Sequence, residues 1–500
     1  MRHARVFLMA PMVPLVLAQV ACDRPAPPTT SGTTPVAFHV AAQSAPRDAE
    51  TLYRDYCLRC HGADDDGGMS SSLIDERWLY AKTDQQRYDA TSLGIIDAGM
   101  PAFGDVLTPK EIENVLALLD TPERIRAMGR ADVPDDDRPE KVRTRHYVLD
   151  VEPWVGGDLE IPWAICFIDD TTALVTERPG GLRLVVDGWL HPDPIRNTPD
   201  VLHAGQGGLM DVNIDPDYEE NGWIYLSYSH ALQPGSRWSP AHTRIVRGRI
   251  ENHTWVDEQV LFQAPDADYG RTRHHYGSRI VFDEQGMLYF AIGDRGERTP
   301  AQDLASAKGK VHRIHPDGRV PDDNPFVSDP DALHTVWSYG HRNTQGMAFH
   351  PENGDLWTIE HGPRGGDEVN IIRPGKDYGW PTITYGINYN GTIITHRMRA
   401  EGMEQPTYYW EPSIAVCGSE FVTGDEFPKW NNDFIATGLV TEQVHRLVNA
   451  DDRVIHDEMI LKGYGRVRDV GFDSAGVMYI VTNDPHRVWR ITNAGPAQPR

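Results

Sequence analysis

Cys57, Cys60 and His61 stand in the run CLRCH at residues 57–61, near the start of the chain. Two thiols about one helical turn apart can add to the two vinyl groups of a haem, and the histidine beside them can then coordinate the iron. A CxxC pair alone could also be a redox disulfide or half of a zinc site. The histidine argues against the disulfide, and the other three cysteines are too distant to complete a zinc site. We therefore expect a covalently attached haem c with His61 as the proximal ligand.

The second axial ligand of such an iron should be a thioether or another histidine that follows in the chain. Met100 stands in DAGMPAFG, just before the last helix signal of this region. This stretch resembles the methionine-ligand loop of monohaem class I cytochromes c, which implies Met100 as the axial ligand, with Met69 as the alternative. His/Met ligation gives iron a relatively high potential. We expect this region to carry electrons rather than to perform the chemistry.

Helix signals lie on both sides of this motif, in AETLYRDYCLRCHG and in TPKEIENVLALLD. In the second segment Thr108 can cap a helix, and Glu111 three residues later completes a capping box. An apolar stripe follows it, formed by Ile112, Val115, Leu116 and Leu119. The pattern predicts a small all-α cytochrome c domain at residues 45–122.

The first residues are typical of an export signal. Two arginines precede an apolar run at residues 6–17, and small residues follow it. We expect a signal peptide at 1–22 and a flexible linker, rich in Pro, Thr, Ala and Ser, at 23–44. A lipid anchor at Cys22 is the alternative, although Gln19 stands where lipoprotein signals usually place an aliphatic residue. The protein should be exported to the periplasm or beyond, free or lipid-anchored, without a transmembrane domain.

The charge balance limits the partners. The 500 residues include 48 Lys and Arg against 73 Asp and Glu, a formal net charge of -25. Such a surface repels nucleic acid and anionic membranes. It would attract a basic partner, such as an external electron acceptor, although acidic charge also serves solubility alone.

A repeated phrase, an apolar strand followed by an Asp/Gly turn and a second apolar strand, begins near residue 144. It recurs as ICFIDDTTALVTE, VNIDPDYEENGWIYLSY, IVFDEQGMLYFAIGD, MAFHPENGDLWTIEH and VGFDSAGVMYIVTND, with a looser copy in GSEFVTGDEFPKWNNDFIAT. The six copies are anchored at Phe167, Ile214, Phe282, Phe349, Phe421 and Phe472. Their spacing predicts an all-β six-bladed propeller at 144–493, after a connector at 123–143, and favours it over an open sandwich.

Five phrases in this region occur in a characteristic order: HYGSRIVFDEQGMLYFAIGDRG, AQDLASAKGKVHRIHPDGRVPDDNPF, YGHRNTQGMAF, EHGPRGGDEVNIIRPGKDYGWP and GRVRDV. Together they resemble the soluble glucose and aldose sugar dehydrogenases, six-bladed quinoproteins that use pyrroloquinoline quinone (PQQ) and calcium. The resemblance implies oxidation of a small aldose at its anomeric carbon. It gives His275 the role of base, a role that suits a side chain titrating near neutrality. Asp294 can hold the imidazole in the required tautomer.

The resemblance also assigns residues that bind the quinone. Arg342 and Asn343 correspond to the pair that contacts its carbonyls, where a charged donor stabilises developing negative charge. Arg466 and Arg468 match the arginines that bind its carboxylates, and their spacing places both on one face of a strand. Gln206, in GQGGLMD, matches a hydrogen-bond donor to the substrate.

Gly362 and Pro363 match the turn whose two carbonyls bind Ca²⁺, a cation that prefers oxygen ligands. Asp367 closes the same loop, near the expected cofactor. Trp410, in YYWEPS, could stack on the sugar or cofactor, or could belong to the core of a blade. Reduced quinone would then pass its electrons to the protein's own haem and on to an external carrier.

The sequence departs from the family pattern at two places. No lysine stands between Thr437 and Val444, where relatives carry one that binds the quinone, and His361 replaces a frequent glutamine. Two other functions therefore remain as hypotheses, a calcium-dependent propeller lactonase and a non-catalytic binding propeller tethered to a cytochrome. Cys166 and Cys417, in the first and fifth repeats, could form a disulfide or remain as buried thiols.

Overall fold

The computed structural model describes residues 47–61, 73, 83–95, 100–104, 106–121, 138–156, 158–236 and 238–497. The expected signal peptide, the linker and Met69 lie outside the described residues, as does most of the expected connector. Among the described residues, no helix is long and apolar enough to cross a membrane.

The N-terminal part is helical. Helix α1 (Ala49–Leu52), a π-helical turn (Tyr53–Cys57) and α2 (Leu58–His61) follow one another without a break, and α3 (Asp84–Leu93) and α4 (Pro109–Leu119) come later. The expected capping box at the start of α4 is confirmed, because Thr108 Oγ1 accepts from the Glu111 N–H and the Glu111 carboxylate accepts from the Thr108 N–H. The apolar stripe of α4 packs with Leu52, Tyr53 and Cys57 in one core.

The rest of the described chain forms six antiparallel sheets. Before the first complete blade come β1 (Lys141–Arg143) and β2 (Tyr147–Gly156). Blade 1 contains β3 (Pro162–Phe167), β4 (Thr172–Glu177), β5 (Leu182–Val186) and β6 (Trp189–Leu190). Blade 2 contains β7 (Leu209–Ile214), β8 (Ile224–Ala231), β9 (Ala241–Glu251) and β10 (Thr254–Gln263). Blade 3 contains β11 (Ile280–Phe282), β12 (Leu288–Ile292), β13 (Lys310–Ile314) and β14 (Val336–Tyr339).

The later blades follow the same plan. Blade 4 contains β15 (Thr344–Phe349), β16 (Leu356–Glu360), β17 (Asp367–Ile372) and β18 (Tyr408–Trp410). Blade 5 contains β19 (Val416–Phe421), β20 (Phe434–Gly438), β21 (Gln443–Ala450) and β22 (Arg453–Lys462). Blade 6 contains β23 (Arg466–Phe472), β24 (Met478–Asn483) and β25 (Arg487–Pro496). Short helices α5 (Tyr218–Asn221), Asp266–Asp268 and Thr299–Gln302 lie in the connections.

The propeller closes by joining its two ends in one sheet. Blade 6 has the order β1-β2-β25-β24-β23, so β2, from the start of the domain, pairs with the last strand, β25. The innermost strands β3, β7, β11, β15, β19 and β23 contact one another in a closed ring. Closure of the ring leaves only short, protected sheet edges at the centre, and it packs each blade between two neighbours, which buries strands that are too short to bury a face alone.

All six anchor residues of the repeated phrase end an innermost strand, which confirms the six-bladed prediction. The anchors pack between neighbouring blades. Phe421, for example, is 2% exposed and lies against Trp357 and Phe434. Burying a side chain of this size contributes about 1.5–3 kcal/mol.

Candidate active site

The site residues gather at one end of the propeller because neighbouring strands of each blade run in opposite directions. At this end the innermost strands begin and the second strands finish. Gln206, His275 and Asn343 precede innermost strands, whereas Asp294 and His361 follow second strands. Equivalent points of successive repeats therefore supply the side chains.

His275 and Asp294 form a hydrogen-bonded dyad. The distance from His275 Nδ1 to Asp294 Oδ1 is 2.6 Å, and the two side chains are 13% and 1% exposed. Asp294 also accepts from the backbone N–H of Gly296 at 2.7 Å and from Trp380 Nε1 at 2.7 Å. Because the carboxylate only accepts, Nδ1 of His275 carries the proton and Nε2 is left with a lone pair.

Burial and the charge of Arg342 lower the pKa of His275 below its ordinary value. The pKa of Asp294 also falls, because the interactions with His275 and Arg342 outweigh the effect of burial. The neighbouring His274, whose ring lies 4.8 Å from that of His275, has a pKa well below its usual range, chiefly because it is buried. At neutral pH the dyad is therefore a neutral imidazole beside a carboxylate, which is the form required of a base.

The backbone of His275 is held by close contacts. Its φ is 55°, and its N–H donates to Gln206 Oε1 at 2.7 Å. A Cβ on Gly293 would lie 2.4 Å from the His275 carbonyl oxygen, so only glycine fits there. Gln206 thus positions the base directly, a role that the sequence did not indicate.

Arg342 connects the dyad to the predicted calcium turn. Its backbone oxygen accepts from the Asp294 N–H at 2.8 Å, and its Nη1 donates to the carbonyls of His361 and Gly362 at 3.0 and 2.8 Å. The oxygen of the neighbouring Asn343 side chain accepts from the Gly277 N–H at 3.1 Å. The structure therefore brings Arg342 and Asn343 together with the dyad.

The turn that contains Gly362 and Pro363 is held in shape by Asp367. The Asp367 carboxylate accepts from the N–H of Gly362 at 2.9 Å and from Ser413 Oγ at 2.7 Å, and also from two backbone N–H groups of the following loop. Burial raises its pKa. These bonds use the acceptor capacity of the carboxylate, so Asp367 positions the turn from within the protein.

Trp410 belongs to the core of the propeller, which is one of the two alternatives that the sequence left open. It is 6% exposed, and its Nε1 donates to Asp457 at 3.0 Å. Its carbonyl accepts from the Gly366 N–H at 2.9 Å. Trp410 thus supports the back of the same turn.

A pocket of about 390 Å³, open at its mouth, lies among these elements. It is lined by Trp163, Gln206, Met210, Tyr276, Gly277, Asn343, Gln345, His361, Leu439 and Arg468. Arg468 donates to Asn483 Oδ1 at 3.3 Å. Arg466 begins the same innermost strand β23, two residues earlier.

His361, which stands where relatives often carry glutamine, lines the pocket. It is 9% exposed, and its ring makes no hydrogen bond to any residue that the structure describes. Burial and the charges of Arg342, His275 and Arg468 hold its pKa well below the usual range. A neutral imidazole thus faces the pocket among cations. Trp380 donates a hydrogen bond to Asp294, which is 86 residues away in the chain. It stands in the phrase EHGPRGGDEVNIIRPGKDYGWP, but nothing in the sequence assigned it a role.

Below the pocket, Arg279 lies between Asp211 and Asp469. Its Nη1 lies 2.9 and 2.8 Å from the two carboxylates, and its Nε donates to the carbonyl of Gln345 at 3.0 Å. All three charged residues are buried. Asp211 and Asp469 lie in the innermost strands β7 and β23, and Arg279 directly precedes β11, so the cluster connects three blades at the centre.

Cys166 and Cys417 are both free thiols, so of the two alternatives the structure supports the unpaired one. Burial raises the pKa of Cys166 to about 12 and also raises that of Cys417. Cys417 Sγ lies 3.8 Å from both Gln345 Oε1 and Arg468 Nη1, directly behind the pocket.

In the helical part, Cys57 is buried in the core, and His61 and Met100 are half-buried. Met100 exchanges backbone hydrogen bonds with Ile95, at 3.0 and 3.1 Å. The side chain of Cys60 lies outside the described part of the chain.

A family model described as glucose / sorbosone dehydrogenase matches residues 159–490, and one described as cytochrome C oxidase, cbb3-type, subunit III matches residues 44–119. Aldose sugar dehydrogenase YliI of Escherichia coli (strain K12) is 40% identical over 333 residues, which cover 65% of this chain and 88% of that protein. The chain belongs to the glucose / sorbosone dehydrogenase family.

Solved structures agree with this assignment. The chain is similar to the apo form of the soluble aldose sugar dehydrogenase from Escherichia coli, with 37% identity, a TM-score of 0.65, and coverage of 69% of this chain and 99% of that one. It is also similar to the PQQ-bound form of aldose sugar dehydrogenase from Streptomyces coelicolor, with 25% identity, a TM-score of 0.55, and coverage of 71% and 99%. The family predicted from the sequence, its class of enzyme and the presence of a cytochrome c-type domain ahead of the propeller are confirmed.

The pocket of this sugar dehydrogenase fits a flat anionic cofactor. Arg342, Arg466 and Arg468 supply positive charge suited to carboxylates, Trp163 and Leu439 supply apolar surface, and the ring of His361 faces the cavity without a protein partner among the described residues.

The described residues offer fewer binding groups to calcium than to the cofactor. Gly362 and Pro363 offer two carbonyl oxygens, of which that of Gly362 also accepts from Arg342. No group of three or more His, Cys, Asp or Glu side chains in the described residues is arranged to hold a metal ion. A hard cation bound here would therefore take its other oxygens from the cofactor and water.

The missing lysine leaves an apolar surface. Val440 packs with Ala415, Cys417 and Leu439 at this edge of the pocket. The side chains in this cluster carry no positive charge, so carboxylate binding would depend on the arginines.

Proposed function

We propose that the protein oxidises aldoses at the anomeric carbon with PQQ and Ca²⁺, and passes the electrons through its own haem c to an external carrier. The observation that carries this proposal is the neutral His275–Asp294 dyad beside Arg342, at a cationic pocket. The chain combines this pocket with the CLRCH motif of residues 57–61. A propeller that only bound a ligand would not need a base held in one tautomer.

His275 would remove the proton of the anomeric hydroxyl through Nε2. Asp294 keeps Nδ1 protonated and stabilises the positive charge that the ring gains as it accepts the proton. The surrounding propeller excludes water from the carboxylate of the dyad, since Asp294 is almost fully buried. This burial strengthens the electrostatic interaction between the two side chains.

The cofactor would be held by Arg466 and Arg468 at its carboxylates and by Arg342 and Asn343 at its carbonyls. Ca²⁺ would lie at the carbonyls of the Gly362–Pro363 turn. In such a site the quinone supplies the hydride acceptor and Ca²⁺ polarises it. Arg342 stabilises the negative charge that develops there, because its guanidinium is already fixed by the carbonyls of the turn.

The helical part would hold the haem through Cys57 and Cys60, with His61 and Met100 as axial ligands. Cys57 and His61 are four residues apart on continuous helix, so they share a face. The haem would accept electrons one at a time and release them to a carrier, for which the acidic surface favours a basic partner.

The test compares wild type with His275→Ala and with His445→Ala. His445 forms a similar dyad with Asp457, at 2.6 Å, but on the outer strands of blade 5, so it is the matched control. We expect His275→Ala to bind PQQ normally and to lose haem reduction driven by sugar, whereas His445→Ala should keep it. Unchanged turnover in His275→Ala would falsify the assignment of the base.

The lactonase hypothesis requires a metal centre built from carboxylate and amide side chains, and hydrolysis of a lactone without added quinone would support it. The binding-only hypothesis remains testable by the same assay. It predicts no sugar oxidation by the loaded wild-type protein.

A further inference from the structure

The segment 373–407 joins β17 to β18 and borders the active site. Trp380 Nε1 in this segment donates to Asp294, and the backbones of Ile387 and Arg364 exchange hydrogen bonds of 2.9 and 3.1 Å. Tyr385 lies so close to the turn that a Cβ on Gly366 would be 3.0 Å from the Tyr385 Cβ. The part of the segment from 380 to 387 is thus fixed at one end to the catalytic dyad and at the other to the turn.

Two tyrosines form a flat stack on this rim. The ring centroids of Tyr385 and Tyr409 are 4.1 Å apart and the ring planes differ by 18°. Tyr385 is fixed by its hydroxyl, which donates to Gln405 Oε1 at 2.9 Å. Tyr409 is 40% exposed, an unusual position for an aromatic ring that is already stacked on one face.

The strand direction explains why Tyr409 faces outward. In β18 its neighbours Tyr408 and Trp410 pack into the core between blades 4 and 5. Since side chains alternate across a strand, Tyr409 points to the opposite face, the same side as Glu411. The Glu411 side chain lies 3.6 Å from the position of a Cβ on Gly365, next to the turn. The stack therefore lies beside the 362–366 turn, which directly follows the pocket residue His361.

We propose that the Tyr385–Tyr409 stack binds the second sugar ring of a neutral oligosaccharide whose reducing end occupies the pocket. This inference rests on the proposed function. An aromatic ring offers a flat apolar face that matches the C–H face of a pyranose, and the carboxylate of Glu411 and the amide of Gln405 can accept and donate hydrogen bonds at its edge.

Charge and size favour this occupant over others. The net charge of -25 disfavours anionic polymers and anionic membranes. A single stacked pair has the area of one sugar ring, far below the roughly 800 Å² per partner of a stable protein interface. The exposed Tyr389, Ile387 and Ile393 in the same segment extend the apolar surface beyond the stack. Because this surface is larger than the stack, the test must distinguish sugar binding from the docking of a protein electron carrier.

The test measures kcat/KM for glucose, maltose and cellobiose in wild type, Tyr409→Ala and Tyr409→Phe. We expect Tyr409→Ala to lower the ratio of kcat/KM for the better disaccharide to kcat/KM for glucose by about 5- to 10-fold, because KM for the disaccharide rises. Tyr409→Phe should preserve this ratio. Trp189→Ala is the matched control, because Trp189 is an aromatic residue 59% exposed on the outer strand of blade 1.

A second readout does not depend on turnover. Saturation-transfer NMR of maltotriose and cellotriose on quinone-free wild type should show contacts to a ring beyond the reducing end, and Tyr409→Ala should lose them. An unchanged disaccharide ratio, or an equal fall for all sugars and for electron transfer to the carrier, would overturn the proposal. If wild type oxidises no sugar at all, the proposed function fails instead, and the NMR experiment still decides whether the stack binds sugar.

Discussion

Replacing Asp294 by asparagine should reduce turnover strongly while leaving the cofactor bound. In the native site the Asp294 carboxylate accepts from His275 Nδ1 at 2.6 Å and keeps Nε2 free to act as a base. An amide NH₂ placed against Nδ1 would reverse the tautomer and move the proton to Nε2. Even with the amide oxygen in place, the charge that stabilises the protonated ring is lost.

The size of the effect follows from the burial of this bond. A hydrogen bond to a charged group contributes about 1.5–3 kcal/mol, which corresponds to about 10- to 150-fold in rate. The reversed tautomer adds to this loss, so we expect kcat to fall by at least about 100-fold. Trp380→Phe removes the hydrogen bond to the other carboxylate oxygen but keeps the charge and the bond to His275, and should cost about 3- to 10-fold.

The assay is steady-state sugar oxidation with a dye acceptor, together with titration of PQQ into the quinone-free protein. The pH profile gives a second check. Burial and Arg342 lower the pKa of His275, so kcat/KM should be constant at neutral pH and fall as the pH drops through a value below 6.5. Because the carboxylate opposes this shift, its loss in Asp294→Asn should move the acid limb to still lower pH. A fall in kcat of less than about 5-fold, with PQQ still bound, would refute the reasoning.

Three further changes test other parts of the structure. Arg342→Lys keeps the charge but cannot reach both carbonyls of the turn, so kcat/KM should fall by about 100-fold; a loss below 3-fold would contradict the role of the fixed guanidinium. Arg279→Ala leaves two buried carboxylates without their cation, so it should lower the free energy of unfolding by about 3–5 kcal/mol in urea titrations. The control Arg490→Ala breaks an exposed ion pair and should lower the free energy of unfolding by less than about 1 kcal/mol. Met100→Ala should leave the haem covalently attached but abolish the iron–sulfur charge-transfer band and lower the reduction potential; an unchanged spectrum would point to another ligand.

The repeated phrase predicted the propeller because each copy describes one local unit, an innermost strand, its turn and the second strand. The six anchors, from Phe167 to Phe472, each end an innermost strand. The capping box of α4 was predictable for the same reason, since Thr108 and Glu111 are three residues apart. Local patterns fix local structure.

Contacts that depend on ring closure carried no such signal. Trp380 reaches Asp294 across 86 residues, and Gln206 reaches His275 across 69. Asp367 was expected near the cofactor, but its carboxylate is occupied by backbone and Ser413 donors, and that network appears only when the loop is folded. The sequence indicated the residue types of the site and the positioning of His275 by Asp294, but not the positioning contacts of Gln206, Trp380 and Asp367.

The most direct measurement of the central claim is the haem spectrum of the haem-loaded, initially quinone-free protein after addition of PQQ, Ca²⁺ and an aldose. The account predicts haem reduction that requires sugar, PQQ and His275 together. Sugar oxidation that reduces an added dye but never the haem would contradict the internal electron path, and failure to bind PQQ or to oxidise any aldose would contradict the proposed chemistry itself.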